Sequence, residues 1–472
     1  MNLIGLFVLI KYFRWSIRQS KSQIPSKITR GQLLDISGNH PKLRQLQIFS
    51  PFNLGTITKD SDMTRVVIVG AGFGGLATMS ALAHQDVEIT LIDKHNFATF
   101  QPLLYQVATA GLNPGDVAFP IRTLLRKQKG VTFRQGMLAG IDSAANEISL
   151  VDGARVPYDF LVLAMGATTN FFGIPGAEEH CHGIYTLDEA LAVRNKVFSL
   201  FERAASQGIK GNAMTTIVIG GGATGVEMAG ALAELKLRAF RTDYPSLDPA
   251  QARVILIEAR ERLLGAFSPE LSKYASAELK GRGVEVRLNT EVKSVTDAGV
   301  HLANGEFIDS RLVIWSAGVG VSKQFSDLGL PQGRQGRFEV GDDLRVVGHE
   351  NIFAVGDIAA TLESDGSLVP QLAQPAIQTG THVAKMIQAL ITSMPTTQFV
   401  YRNKGTMATI GRNAAVAELT NGMKLTGSTA WLAWLALHLL TLLGVRNRLS
   451  VLLNWSWHYI SWGRGPRVIL GG

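Results

Sequence analysis

One short pattern, present twice, constrains the fold more than anything else in the chain. Val66-Val67-Ile68-Val69 runs directly into Gly70-Ala71-Gly72-Phe73-Gly74-Gly75, and Thr216-Ile217-Val218-Ile219 runs into Gly220-Gly221-Gly222-Ala223-Thr224-Gly225. A continuous β-branched run reads as a strand buried on both faces of a parallel sheet. In each unit the first glycine makes the tight turn, the second lets the backbone approach a pyrophosphate, and the third lets helix and strand pack closely. Free N–H groups at the start of the following helix suit phosphate oxygens. The pattern predicts an α/β chain with two Rossmann-like dinucleotide-binding domains.

The strands that follow each helix, Val87–Ile92 and Val254–Ile257, end in acids. Asp93 is placed to accept hydrogen bonds from a ribose diol. Glu258 would repel a 2′-phosphate, which favours NADH over NADPH on the second unit, although Arg260 and Arg262 follow closely. Two units imply two dinucleotides, and one hydride donor with one hydride acceptor is the economical reading. Three further buried runs end in turns that can cross close over a cofactor. Phe160–Leu163 leads into Ala164 and Gly166, Leu312–Trp315 into Gly318, and Asn351–Val355 into Gly356 and Asp357. Ligands in open α/β sheets bind at the carboxyl ends of strands.

Charge and cysteine content remove other classes. The net charge of +8 is carried by the ends of the chain, +6 in residues 1–62 and +5 in 421–472, which leaves −3 for the middle. A mildly acidic middle speaks against a nucleic-acid partner, and none is expected. Cys181 is the single cysteine, so neither an internal disulfide nor a Cys-x-x-Cys redox pair can form. No metal-ligand set is read from the sequence.

The C-terminal stretch holds Trp431, Trp434, Trp455, Trp457 and Trp462 in two apolar runs, Trp431–Val445 and Leu449–Trp462, interrupted by Arg446-Asn447-Arg448. A helix of the first run's length rises about 22 Å, short of a hydrocarbon core. Tryptophan and arginine beside short apolar helices suit the water–lipid interface. The competing reading is a helical hairpin packed on the protein's own core or on a twin subunit, which would make a homodimer. Residues 1–62 read as an extension, either disordered or translated from an upstream mis-start, with a membrane-proximal or targeting segment as the other readings.

The glycine turn at Gly70–Gly75, the turn at Ala164–Ala167 and Val355–Asp357 resemble the flavin pattern of the two-dinucleotide disulfide-reductase superfamily. Three stretches narrow the resemblance: His95–Thr109, Leu372-Ala373-Gln374-Pro375-Ala376-Ile377-Gln378, and Arg446–Leu449 within the tryptophan-rich tail. Together they resemble a type II NADH dehydrogenase, a single-subunit, non-pumping NADH:quinone oxidoreductase.

The resemblance implies bound FAD held by Gly70, Gly72, Gly75, Asp93, Gln101 and Asp357, the last at the ribityl–phosphate arm. It implies NADH on the Gly220, Gly222 and Gly225 unit with Glu227 near the nicotinamide, and a membrane quinone as electron acceptor. Gln374 and Gln378, four apart, share one face if helical, and their amides offer donors and acceptors to a quinone carbonyl. A helix-start role for Glu227 and a capping role for the glutamines are the plainer alternatives. Pro375 is compatible only with a helix's first turn.

The implied organisation is an FAD domain at 63–185 and 320–395, an NADH domain inserted at 186–319, and a membrane-interfacial region at 396–472. Such a protein would sit peripherally on a membrane, on the cytoplasmic face if bacterial. Sulfide:quinone oxidoreductases share the fold but need a cysteine pair. Another NAD(P)H-dependent flavoprotein reductase and an NADH-sensing, partner-binding flavoprotein are the rival functions.

Overall fold

The computed structural model describes residues 63–126, 128–207, 214–248, 251–460 and 468–469. The extension at 1–62 and Trp462 lie outside the described residues. The chain enters through β1 (Thr64–Val69), turns at the first glycine fingerprint into α1 (Phe73–Leu82) and returns as β2 (Val87–Asp93). A short helix, α2 (Leu104–Ala108), precedes β3 (Val131–Gln135) and β4 (Phe160–Leu163). The second unit opens with β5 (Cys181–His182) and the long α3 (Leu187–Gln207). It repeats the first design as β6 (Thr216–Ile219), α4 (Ala223–Thr242), β7 (Val254–Ile257), α5 (Pro269–Gly281), β8 (Val284–Arg287) and β9 (Leu312–Trp315). The chain then returns to the first unit through β10 (Ile352–Ala354) and α6 (Ala373–Ile391). It finishes with β11 (Thr406–Gly411), β12 (Ala414–Glu418), β13 (Lys424–Thr426), α7 (Gly427–Thr441) and α8 (Val445–Ile460).

Two parallel five-stranded sheets result, ordered β10-β4-β1-β2-β3 and β5-β9-β6-β7-β8. The first glycine strand is the middle strand of one and the second glycine strand the middle strand of the other. This explains why Val66–Val69 and Thr216–Ile219 are buried at every position. Helices cover one face of each sheet and a small three-stranded antiparallel sheet covers the other, at 138–157 for the first and 292–309 for the second, so a middle strand has no side open to water. Since β10 comes from far down the chain, the first unit is split around the second. Cys181–His182, which the sequence assigns to the first domain, instead pairs with β9 at the edge of the second sheet. A two-residue strand carries too little periodicity to be read locally.

α6 crosses α1 at close range, and the buried Thr78 hydroxyl sits within hydrogen-bond reach of both Gly74 O (3.0 Å) and Gly380 O (3.1 Å). α6 therefore starts beside the first glycine turn. The C-terminal strands form an antiparallel sheet ordered β11-β12-β13, which receives α7 through Ala415, Ala417 and Ala430. Arg446-Asn447-Arg448 does not interrupt the tail as its charge suggests. Those residues lie in the first turn of α8, and the break falls at Gly444, whose φ of +77° suits glycine. Among the described residues, no helix is long and apolar enough to cross a membrane.

Candidate active site: two dinucleotide cradles and a tryptophan-lined cleft

The two glycine turns match in detail. Gly70 and Gly220 both have φ of +107°, and a Cβ at either would lie 2.2 Å from Ala164 O or 2.5 Å from Ala317 Cα. Only glycine allows β4 and β9 to turn so closely over these positions. A Cβ at Gly75 or Gly225 would lie 1.8 Å from the carbonyl oxygen of Gly70 or Gly220, so those glycines permit the helix to start against the strand. Gly72 and Gly222 differ, because a Cβ there meets no protein atom within 4 Å. No protein contact calls for glycine at either position, so each leaves a cradle that a Cβ would fill.

Asp93 and Glu258 close the turns in the same way. Asp93 accepts the Ala71 N–H at 2.7 Å and the His95 N–H at 2.8 Å. Glu258 accepts the Gly221 N–H at 2.6 Å and the Arg260 N–H at 2.9 Å. Each carboxylate braces its own loop and keeps lone pairs for a ribose hydroxyl. Burial raises the Asp93 pKa, and the two backbone donors pull it partly back.

Around the first cradle, Gly166 takes φ of +71° at the turn after β4, and the following Ala167 N–H donates to the Tyr185 hydroxyl at 3.3 Å. That hydroxyl donates to Asp357 Oδ2 at 2.8 Å. Asp357 is raised by burial and pulled back by the Tyr185 hydrogen bond and the charge of Arg337. The Gly356 N–H donates to Thr379 Oγ1 at 3.0 Å, which fixes this turn to α6. Gly318 lies under Phe172, whose ring a Cβ there would meet at 2.4 Å. Tyr185 and Thr379 do not stand out in the sequence. They are 172 and 23 residues from the partners they hold, and no local signal marks them.

The glutamines have distinct environments. Gln374 and Gln378 lie on one face of α6, with Pro375 in its first turn. Gln378 donates to Arg402 O and accepts the Arg402 N–H, both at 3.0 Å, so its amide clamps the strap that leads into β11. Gln374 Nε2 donates to Gly405 O at 3.3 Å, and its Oε1 is buried without a partner. The Gly405 carbonyl fixes the orientation of this amide, because a flipped amide would set two acceptors against each other. The free atom of Gln374 is therefore an acceptor. Gln101 Oε1 is likewise buried without a partner. Acceptors left bare in an interior are costly, and a flavin dinucleotide carries N–H and O–H donors that match them. The residues around the first cradle fit FAD.

Glu227, in the first turns of α4, accepts the Thr409 N–H at 3.2 Å through Oε1. It faces a cleft lined by Tyr105, Gln106, Thr409, Trp431, Trp434 and Trp455. Burial pushes its carboxyl up to about 8, against the Thr409 N–H and the nearby Trp434 indole, which favour the charged form. Trp434 stacks on His438 with centroids 3.9 Å apart. Burial pushes that imidazole down to about 4, and its Nδ1 is 2.8 Å from Trp434 O. A protonated acid and a neutral imidazole thus meet an aromatic wall at neutral pH.

Two cradles on two parallel sheets, with buried acceptors at the first, define a two-dinucleotide flavoprotein oxidoreductase. Residues 64–380 match the pyridine nucleotide-disulphide oxidoreductase family, and residues 403–464 match the NDH2 C-terminal domain. The chain is 37% identical over 422 residues to the type II NADH:quinone oxidoreductase Ndh of Mycobacterium tuberculosis, covering 86% of this chain and 90% of that one. It is 32% identical over 405 residues to the demethylphylloquinone reductase NdbB of Synechocystis, covering 83% and 95%. The solved structure of NDH2 from Plasmodium falciparum in complex with NADH has the same fold. Its TM-score is 0.79 at 21% identity, over 86% of this chain and 99% of that chain. The chain belongs to the type II NADH:quinone oxidoreductase family.

Proposed function

We propose that NADH binds the Gly220–Gly225 cradle and that a quinone enters the tryptophan-lined cleft beside Glu227. The protein oxidises NADH and reduces a quinone by two electrons without pumping protons. FAD in the first cradle would supply two-electron redox chemistry between NADH and the quinone. Gly72 and the α1 N-terminus hold its pyrophosphate, Asp93 its ribose, and Gln101, Ala164, Gly166, Gly356 and Asp357 the rest of the first cradle. Gly222 and Glu258 do the same for NADH, with Gly318 at the turn opposite. On this reading the FAD domain comprises the segments before Cys181 and after Gly320, and the NADH domain lies between them.

The observation that carries the cleft assignment is Glu227, an acid that keeps its proton at neutral pH among aromatic side chains. Reducing a quinone to its quinol takes up two protons, and NADH supplies only one of them with its hydride. Thr409 N–H occupies Glu227 Oε1, so the proton sits on Oε2. There it can serve as a general acid. Trp431, Trp434 and Trp455 exclude water and offer flat faces to a quinone ring. Gln374 offers an acceptor to the flavin or to a quinol hydroxyl, and Gln378 holds the strap beside it.

The exposed apolar face of the C-terminal helices rests on a membrane surface, on the cytoplasmic side if the cell is bacterial, where a lipid-soluble quinone is at hand. A second copy of the chain is the competing occupant of that face. Anaerobic mixing with NADH, followed by a water-soluble quinone, tests the reading. NADH should bleach the flavin and the quinone should restore its colour. Bleaching without quinone-driven recovery refutes the assignment of the acceptor.

A further inference from the structure

α8 turns both apolar and polar side chains inward. Its exposed positions include Val445, Leu449, Leu453 and Trp457, at 71%, 56%, 68% and 58%. Beside the buried Val451 and Trp455 it carries Asn447, Ser450 and Asn454, whose spacing puts them on one face. All three converge on the short turn that contains Pro114–Val117. Asn447 is 2% exposed, and its Nδ2 lies 3.2, 3.1 and 3.2 Å from the carbonyl oxygens of Gly115, Asp116 and Ala118. Ser450 Oγ donates to Asp116 Oδ1 at 2.6 Å, and Asn454 Nδ2 donates to Asp116 Oδ2 at 2.7 Å. Asp116 is 5% exposed and also accepts the Asn113 N–H at 2.9 Å.

The residue after Asn454 reaches the cleft. Trp455 Nε1 donates to Gln106 Oε1 at 2.8 Å, and Gln106 Nε2 donates to the Tyr105 hydroxyl at 2.8 Å. Tyr105, Gln106 and Trp455 all line the cleft. The segment just after Asp116 pairs with Phe97–Thr99, two residues before Gln101. Val451 and Trp455 pack α8 against the core, but an apolar seam alone would tolerate sliding and rotation. Directed hydrogen bonds to one buried carboxylate select a single register.

We infer that Asp116 is a positioning residue for quinone reduction, fixing α8 so that Trp455, Gln106 and Tyr105 set the shape of the cleft. The inference rests on the reading of the cleft as the quinone site. Its test uses the full-length, FAD-loaded protein and a short-chain quinone. Asn454→Leu keeps the branched shape and the number of side-chain heavy atoms and removes one donor. The KM for quinone should rise about tenfold, as a displaced contact wall demands, while the KM for NADH and the rate of flavin bleaching by NADH stay as in the wild type. Trp431→Ala, on α7, reports on the cleft alone. An unchanged quinone KM in Trp431→Ala removes the quinone site from the cleft and the inference with it. A raised KM there, with Asn454→Leu unchanged or altered equally for NADH and quinone, overturns the role of Asp116 alone.

Discussion

Replacing Glu227 with glutamine separates proton holding from shape. The wild-type carboxyl sits at about 8 when folded and at 4.5 as an ordinary glutamate. Its folded pKa is raised, so its contribution to stability is fully present below pH 4.5 and is lost as pH rises through 8. At pH 7 the unfolded glutamate has released its proton and the folded one has kept it. At about 1.36 kcal/mol per pH unit this amounts to roughly 3 kcal/mol. Glu227→Gln keeps an oxygen for the Thr409 N–H and has nothing to titrate. The variant should match the wild type near pH 4.5, exceed it progressively toward pH 8, and level off above. For a chain of this size the gain at pH 7 corresponds to a midpoint about 2–3 °C higher, read as FAD release on heating. The same variant should lose the fall in quinone reduction that the wild type shows as pH rises through 8. A midpoint difference that stays flat between pH 5 and 9 refutes the neutral carboxyl. A surviving alkaline limb in the variant refutes its role as proton donor.

Gly222→Ala should fold with FAD in place, because the backbone there has negative φ and the new Cβ meets no protein atom. Its NADH KM should rise about tenfold from a displaced phosphate contact, and an unchanged KM moves NADH off this cradle. Gln374→Leu should weaken FAD retention in gel filtration, whereas Gln378→Ala should mainly loosen the strap, read as faster proteolysis near Arg402. Equal FAD loss in both would remove the distinction drawn from their hydrogen bonds. Leu453→Glu with Trp457→Glu should move the protein from the membrane pellet to the supernatant with NADH-dependent flavin bleaching intact. Pelleting as before places the membrane contact elsewhere.

The glycine fingerprints were legible because their constraint is local. Positive φ at Gly70 and Gly220 and the clashes at Gly75 and Gly225 arise within one turn and the strand beside it. The shared face of Gln374 and Gln378 was legible from helical spacing, and Pro375 marked the helix start. Their partners were not, because Gly405 and Arg402 reach them only through tertiary packing. Tyr185 under Asp357 and Trp455 on Gln106 are 172 and 349 residues from their partners, and no periodicity links such positions. The polar face of α8 left a usable trace. Asn447, Ser450 and Asn454 follow helical spacing inside an apolar run, which by itself implies a buried polar partner. The tryptophans and arginines around them suit a lipid interface and mask that trace.

The bracing carboxylate of Glu258 links two properties that are usually altered separately. A change intended to admit a phosphorylated ribose would begin by removing this acid. Yet the same oxygens hold the Gly221 and Arg260 N–H groups. A glutamine offers one oxygen for two donors, and an alanine or glycine offers none. Redesigning nucleotide preference here therefore requires a second substitution that supplies the lost acceptor. A single exchange at 258 would spoil the cradle for either nucleotide before it changed the choice between them.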